Sequence, residues 1–212
     1  MDNFILILEL IGTCAFAISG AMVSIKKHLD LFGVIFCGII TALGGGALRD
    51  VLLSALPPAM FCNYIYAIFA TGSAILTFAF ARIVKNSFED KFDGIDRINN
   101  IFDAIGLGIF TIVGINAALA MGYADNPFFV VFLGMCTGCG GGLLRDILVR
   151  EIPFILSKRI YAIASILGGI LYYLMVAVFR CDPFLSVICG VSLIFLLRII
   201  SSVFRWDLPK AY

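Results

Sequence analysis

The chain has 212 residues, 62% of them hydrophobic and 14% charged, and a formal net charge of +1; its mean hydropathy is +1.08. A soluble domain carries roughly 25% charged residues, and one of this length could not cover so apolar a core with so little polar surface, so the composition excludes a soluble globular protein and puts the chain in lipid. The near-neutral balance gives no basis for nucleic-acid binding. One histidine, His28 beside Lys26 and Lys27, leaves little for imidazole catalysis or a His-ligated metal.

A membrane-spanning helix needs about 20 mostly apolar residues. The first candidate runs over 4–25 and is ended by Lys26-Lys27-His28. Met1-Asp2-Asn3 lacks a basic n-region and the apolar run is too long for a signal peptide, so this segment reads as a span. The second candidate, 31–61, is too long for one straight helix and is interrupted by Gly44-Gly45-Gly46 and by Pro57-Pro58. The third is 63–84. The polar stretch 85–100, with charges of both signs, is expected to be a solvated connection. The fourth span is 101–122. The fifth, 127–157, is interrupted by Gly140-Gly141-Gly142 and Pro153. The sixth is 160–179 and the seventh 183–204, followed by a short polar tail. Seven cysteines are scattered through apolar runs, an odd count without framework spacing, which argues against disulfides. Cys136 and Cys139 form an isolated C-x-x-C with no second pair and no histidine nearby, so they read as small packing residues.

The two interrupted spans reveal an internal repeat. GGGALRDVLLSALP (44–57) lies over GGGLLRDILVREIP (140–153), with eight of fourteen positions identical. Upstream, FAISG (16–20) matches FTIVG (110–114), and Glu9 in ELIG matches Asp103 in DAIG. The expected fold is an all-α membrane protein of seven transmembrane helices: repeat one over 1–88, repeat two over 97–180, and an unrepeated seventh helix over 183–204. A three-span unit forces the second copy to enter from the opposite face, so the halves should be inverted repeats. Orientation follows the basic residues. Lys26, Lys27, Arg82, Lys85, Lys91, Arg97, Arg150, Lys158, Arg159, Arg198, Arg205 and Lys210 fall on one side and Arg180 alone on the other, with Arg49 and Arg145 inside spans. The N-terminus is therefore expected outside and the C-terminus in the cytoplasm.

The doubled G-G-G-x-L-R-D carries the functional expectation. Each glycine in a helix interior costs roughly 1 kcal/mol relative to alanine, so a mid-span triplet is expected to kink or unwind the helix. Carbonyls freed in this way, at Gly44–Gly46 and Gly140–Gly142, could line a wet route and replace part of a cation's hydration shell. The competing reading is packing, because Gly38, Ala42 and Gly46, and in the matching places Gly134, Gly138 and Gly142, follow a small-xxx-small spacing. Ionisable groups inside spans are costly and face the bundle interior or a water path. The repeat and the helical rise of about 1.5 Å per residue predict two clusters: Glu9 with Arg49 toward the outer side, and Asp103 with Arg145 toward the inner side. Asp50 and Asp146 would share in them. These pairs either fix the bent helices to their neighbours or line and gate a path. Ser19, Thr41, Asn116 and Thr137 are candidate lining residues, although Ser and Thr in membrane helices often bond their own backbone. Tyrosines such as Tyr64, Tyr66, Tyr161, Tyr172 and Tyr173 read mostly as interface anchors or packing.

With its paired GGG-x-L-R-D motifs, FAISGA and DAIGLG, the chain resembles over 4–204 the prokaryotic branch of the trimeric intracellular cation (TRIC) channel family. That branch overlaps the bacterial membrane proteins described as glycine transporters. The resemblance implies a homotrimer in the lipid bilayer with one pore per protomer, kinked second and fifth spans, and permeation of monovalent cations, chiefly potassium. Animal members carry a lysine-bearing pattern where this chain has Arg-Asp, so voltage or lipid regulation is not implied. The expectation is a potassium channel of the cell membrane, with no enzyme activity and no cofactor beyond permeant K+ or Na+. The alternative is a secondary carrier of a small solute such as glycine, since inverted repeats also suit alternating access.

Overall fold

The computed structural model describes residues 2–83, 92–157, 160–204 and 206. Its elements are α1 (Asp2–Lys26), α2 (Leu31–Leu52), the short α3 (Ala59–Cys62), α4 (Ile65–Ile83), α5 (Phe92–Ala120), α6 (Pro127–Leu148), the short α7 (Phe154–Ser157), α8 (Tyr161–Tyr173), which runs on as a π-helical turn over Leu174–Val178, and α9 (Pro183–Val203). Seven helices among the described residues are long and apolar enough to cross a bilayer. They coincide with the seven expected spans. Of the residues used to orient the chain, Lys85, Lys91, Lys158, Arg159, Arg205 and Lys210 lie outside the described residues, as do 84–88 at repeat one's C-terminal end and 85–91 of the polar connection.

Three boundaries differ from expectation, each for a local reason. The second and fifth spans stop at Leu52 and Leu148 instead of running on to 61 and 157. Both end in the same backbone lock: Ser54 and Arg150 take φ of 56° and 57°, the Ala55 amide donates to the Asp50 carbonyl (2.8 Å), and the Glu151 amide donates to that of Asp146 (2.9 Å). This left-handed termination satisfies the last carbonyls. The fourth span begins at Phe92 instead of residue 101. Its polar first turns are held by tertiary contacts that hydropathy cannot register: Lys26 Nζ lies 2.6 Å from Asp96, and Asn99 is buried against Ser19.

The halves are built alike. α1 packs on α2 and α4 in the first, α5 on α6 and α8 in the second, and the halves meet through α1 with α5 and α2 with α6. The N-caps repeat: Asp30 accepts from the Gly33 amide (2.7 Å) and Asn126 from the Phe129 amide (3.1 Å). Contacts across the centre are reciprocal. Phe16 stacks on its repeat mate Phe110 with centroids 5.4 Å apart. Leu144 abuts Gly44 while Leu48 abuts Gly140, and the carbonyl of Thr137 abuts Gly45 while that of Thr41 abuts Gly141. Reciprocity of this kind marks a two-fold relation between the halves. α9 has no counterpart and packs on α5 and α8.

The glycine triplets do not unwind. Helical structure runs without a break through 44–46 and 140–142, which corrects the expectation of helices broken there. Tertiary packing overrides helix propensity: with no Cβ at Gly45 and Gly141, α2 and α6 approach until backbone touches backbone. The carbonyls stay in the helical ladder and are not bared to a route.

Candidate functional site

Each Arg-Asp pair closes its helix in the same way. Arg49 Nε donates to Asp50 Oδ1 and Arg145 Nε to Asp146 Oδ1, both at 2.8 Å. The second carboxylate oxygen accepts from the first amide of the following short helix, Ala59 for Asp50 and Phe154 for Asp146, again at 2.8 Å in both. Asp50 and Asp146 therefore hold the turn after the span, and each arginine keeps its outer nitrogens for the bundle interior. The turn is one residue shorter in the second half, where Pro153 stands against Pro57-Pro58. With that offset Ala59 aligns with Phe154 and Tyr66 with Tyr161. Each half thus holds a quartet of one acid, one tyrosine, and the Arg-Asp pair.

The quartets are wired differently. In the first, the Tyr66 hydroxyl donates to Glu9, while Arg49 stays with Asp50. The expected Glu9–Arg49 pair is replaced by this tyrosine bond, and the two side chains share a cavity instead. That cavity measures about 60 Å3 and is lined by Glu9, Thr13, Gly46, Arg49, Asp50 and Tyr66, among others. A buried water needs on the order of 10–15 Å3 by this measure, so a few waters or a partly hydrated ion fit. Gly46 has no atom within 4 Å of where a side chain would begin, so its missing side chain is part of the free space.

In the second quartet Asp103 Oδ1 receives Arg145 Nη1 at 2.8 Å. Asp103, Arg145 and Asp146 are buried, Arg145 being the largest fully buried side chain. Three side chains fill what is open in the first half. Phe154, standing where the first half has Ala59, stacks on the Arg145 guanidinium at 4.8 Å. Ser19 Oγ accepts from Arg145 Nη1 (2.6 Å) and donates to Asn99 (2.8 Å). Arg198 on α9 lies 4.5 Å from the centre of the Tyr161 ring and 3.6 Å from Asp103 Oδ2, and donates to Asn100 at 2.7 Å. Beside Gly142, the counterpart of Gly46, the Tyr161 hydroxyl and Arg145 Nη2 would stand 2.9 and 3.6 Å from an added Cβ. Among the described residues the Tyr161 hydroxyl, Arg145 Nη2 and Arg198 Nε have no hydrogen-bond partner.

The other candidate lining residues fall elsewhere. Thr41 and Thr137 are buried and bond back to the carbonyls of Cys37 (2.6 Å) and Leu133 (2.7 Å); they press against Gly20 and Gly114 and lie outside the cavity. Asn116 accepts from the Tyr172 hydroxyl at 2.6 Å, in an outer groove lined by Phe4, Leu119, Asp182 and Phe184. Tyr66, Tyr161 and Arg198 are the site residues that sequence reasoning missed. Allowing the repeat a one-residue gap at Pro57-Pro58 would have aligned the two tyrosines. Arg198 lies on the unrepeated helix, so the repeat does not point to it; its place as an arginine inside an apolar span is the signal that could have found it.

The sequence model of the family described as glycine transporter matches twice, over residues 6–82 and 100–177. A UPF0126 membrane protein of Deinococcus radiodurans is 37% identical over 196 residues, spanning 92% of this chain and 86% of the relative. A crystal structure of a prokaryotic TRIC channel in 0.5 M KCl superposes with a TM-score of 0.87 at 36% identity, over 98% of this chain and 100% of that one. The TRIC trimeric intracellular cation channel orthologue from Rhodobacter sphaeroides superposes at 0.85 with 31% identity, over 96% and 100%.

Proposed function

Because the chain belongs to the prokaryotic TRIC channel family, which the glycine-transporter model also describes, we propose that it passes monovalent cations, potassium foremost, through one pore in each protomer. The observation that carries this reading is the cavity beside Gly46, in a chain whose full-length structural relatives include proteins named as TRIC cation channels. Glu9 and Asp50 against Arg49 leave that cavity one formal negative charge, which favours a cation over an anion. The lining is made of residues on α1, α2 and α4, with the short helix α3 and Phe110 of α5 completing the wall. Coordination therefore falls to the carboxylates, Thr13 and water, since the glycine carbonyls remain within the helices. K+ or Na+ would be a transient occupant and not a resident cofactor. The protein works as a homotrimer in the cell membrane, with its N-terminus outside and its C-terminus in the cytoplasm; the relatives' trimeric name and the one-sided basic residues support this.

Purified protein in planar bilayers with symmetrical KCl is expected to give stepwise unitary currents. Saturable uptake stimulated by counter-flow, with no unitary steps, would replace the channel by a carrier. Gly46→Val fills the open side of the cavity and is expected to cut the unitary K+ current by about half or more, in line with the loss of hydrated volume. An unchanged current in that variant would move the route away from this cavity.

A further inference from the structure

The same kind of quartet, an acid, a tyrosine and an Arg-Asp pair, occurs in this chain in two arrangements, one open and one filled. With Tyr66 bonded to the acid, Arg49 is left to its neighbour Asp50 and a cavity large enough for water lies beside Gly46. With Arg145 bonded to the acid, Tyr161 has an unpaired buried hydroxyl and the space beside Gly142 is occupied. A buried hydroxyl left without a partner is costly, so the second arrangement holds only because something else holds it. That something is Arg198 from the unrepeated helix α9, which covers the Tyr161 ring and faces the free oxygen of Asp103. The first half has no equivalent of α9 and none of this guanidinium.

Building on the channel reading, we infer that Tyr161 and Arg198 form a gate: the seventh helix latches the second quartet shut, and opening transfers Asp103 from Arg145 to the Tyr161 hydroxyl. The open form of the second half then copies what the first half already shows. Arg145 keeps Asp146, as Arg49 keeps Asp50. The Tyr161 hydroxyl leaves the space beside Gly142, and a cavity matching that at Gly46 appears. Tyr161 and Arg198 are positioning residues in this scheme and need not touch the ion. The exchange keeps the number of hydrogen bonds but trades a buried Arg145–Asp103 ion pair for a Tyr161–carboxylate bond, so the shut form is favoured until a bias selects the open one.

The test is single-channel recording of the reconstituted full-length protein, comparing wild type, Tyr161→Phe and Arg198→Gln. Tyr161→Phe removes a hydroxyl that is unpaired when shut and bonded to a carboxylate when open. A hydrogen bond to a charged group is worth enough to lower open probability about ten-fold or more, with unitary current unchanged. Its melting temperature in detergent should equal or exceed that of wild type, because the shut form loses only an unpaired group. Arg198→Gln removes the guanidinium that covers the Tyr161 ring and faces Asp103, releasing the latch, and should raise open probability several-fold. A purely structural role would move both variants in the same direction and lower both melting temperatures. Equal open probability in Tyr161→Phe and wild type overturns the gate while leaving conduction standing, as does a shift of both variants in one direction. If Arg198→Gln does not assemble, Tyr161→Phe alone decides. A wild-type protein silent in bilayers overturns the conduction reading and the gate with it.

Discussion

Gly141→Ala is expected to cost about 3 kcal/mol or more of stability, the upper end of what overpacking does, and to abolish the correctly assembled protein. An added Cβ at this position would be driven into the carbonyl of Thr41. The obstacle is backbone of the facing helix, so no side chain can rotate away, and α2 and α6 must separate along their contact. Gly45→Ala meets the Thr137 carbonyl in the same way and should behave alike. Gly46→Ala is the contrast: it adds its methyl to open space. Replacing a helix-interior glycine there should be neutral or gain up to about 1 kcal/mol from propensity. Melting of the three variants by size-exclusion chromatography after heating separates the two classes. If Gly141→Ala melted with the wild type, the close approach of α2 and α6 would not hold the halves together.

The contrast within one triplet explains what could be read from the sequence and what could not. The seven spans were legible because lipid selects on hydropathy alone, and the apolar runs expected from 31 and 183 begin where the structure shows Asp30 and Asp182 capping α2 and α9. Hydropathy was blind to the first turns of α5, where Asp96 and Asn99 are held by Lys26 and Ser19. The triplets were visible as a signal, but their meaning depends on what faces them. A glycine costs helix propensity on its own; facing another backbone, it gains a contact that no other residue permits. Sequence spacing offered both readings, and only the position of α6 against α2 decides that Gly45 and Gly141 pack while Gly46 leaves a cavity. The acid and Arg-Asp elements of the quartets could be read from the repeat. Their partners could not, because Tyr66 and Tyr161 align only across a one-residue gap and Arg198 belongs to a helix without a mate. Where the halves differ, at Ala59 against Phe154 and at Arg198, the site differs too. The repeat therefore supplies the scaffold, and departures from it supply the asymmetry on which the proposed gate rests.

The two arginines of the repeat should respond oppositely to neutralisation. Arg145 is fully buried and bonds Asp103, Asp146 and Ser19 at once. Among the described residues, Arg145→Gln leaves buried Asp103 with only Arg198 at 3.6 Å and buried Asp146 with only the Phe154 amide, and breaking a buried ion pair from one side costs about 3–5 kcal/mol. That is a large fraction of a protein's net stability, so the expected result is loss of the monodisperse protein on extraction. Arg145→Lys should fall between, because an ammonium on a flexible stem cannot serve Asp103 and Asp146 in the same planar fork. Arg49, by contrast, has a side chain 13% exposed on the cavity, and Asp50 keeps its bond from the Ala59 amide when the guanidinium is gone. Arg49→Gln should therefore fold. Its cavity carries a second formal negative charge, and a charge about 4 Å away is worth roughly 1 kcal/mol even in bulk water. The unitary K+ current should rise a few-fold at low ionic strength, and the gain should shrink as salt screens the site. A stable, correctly assembled Arg145→Gln would show that the second quartet is not what holds the halves in register. An Arg49→Gln current equal to wild type at every salt concentration would show that ions do not pass beside Glu9.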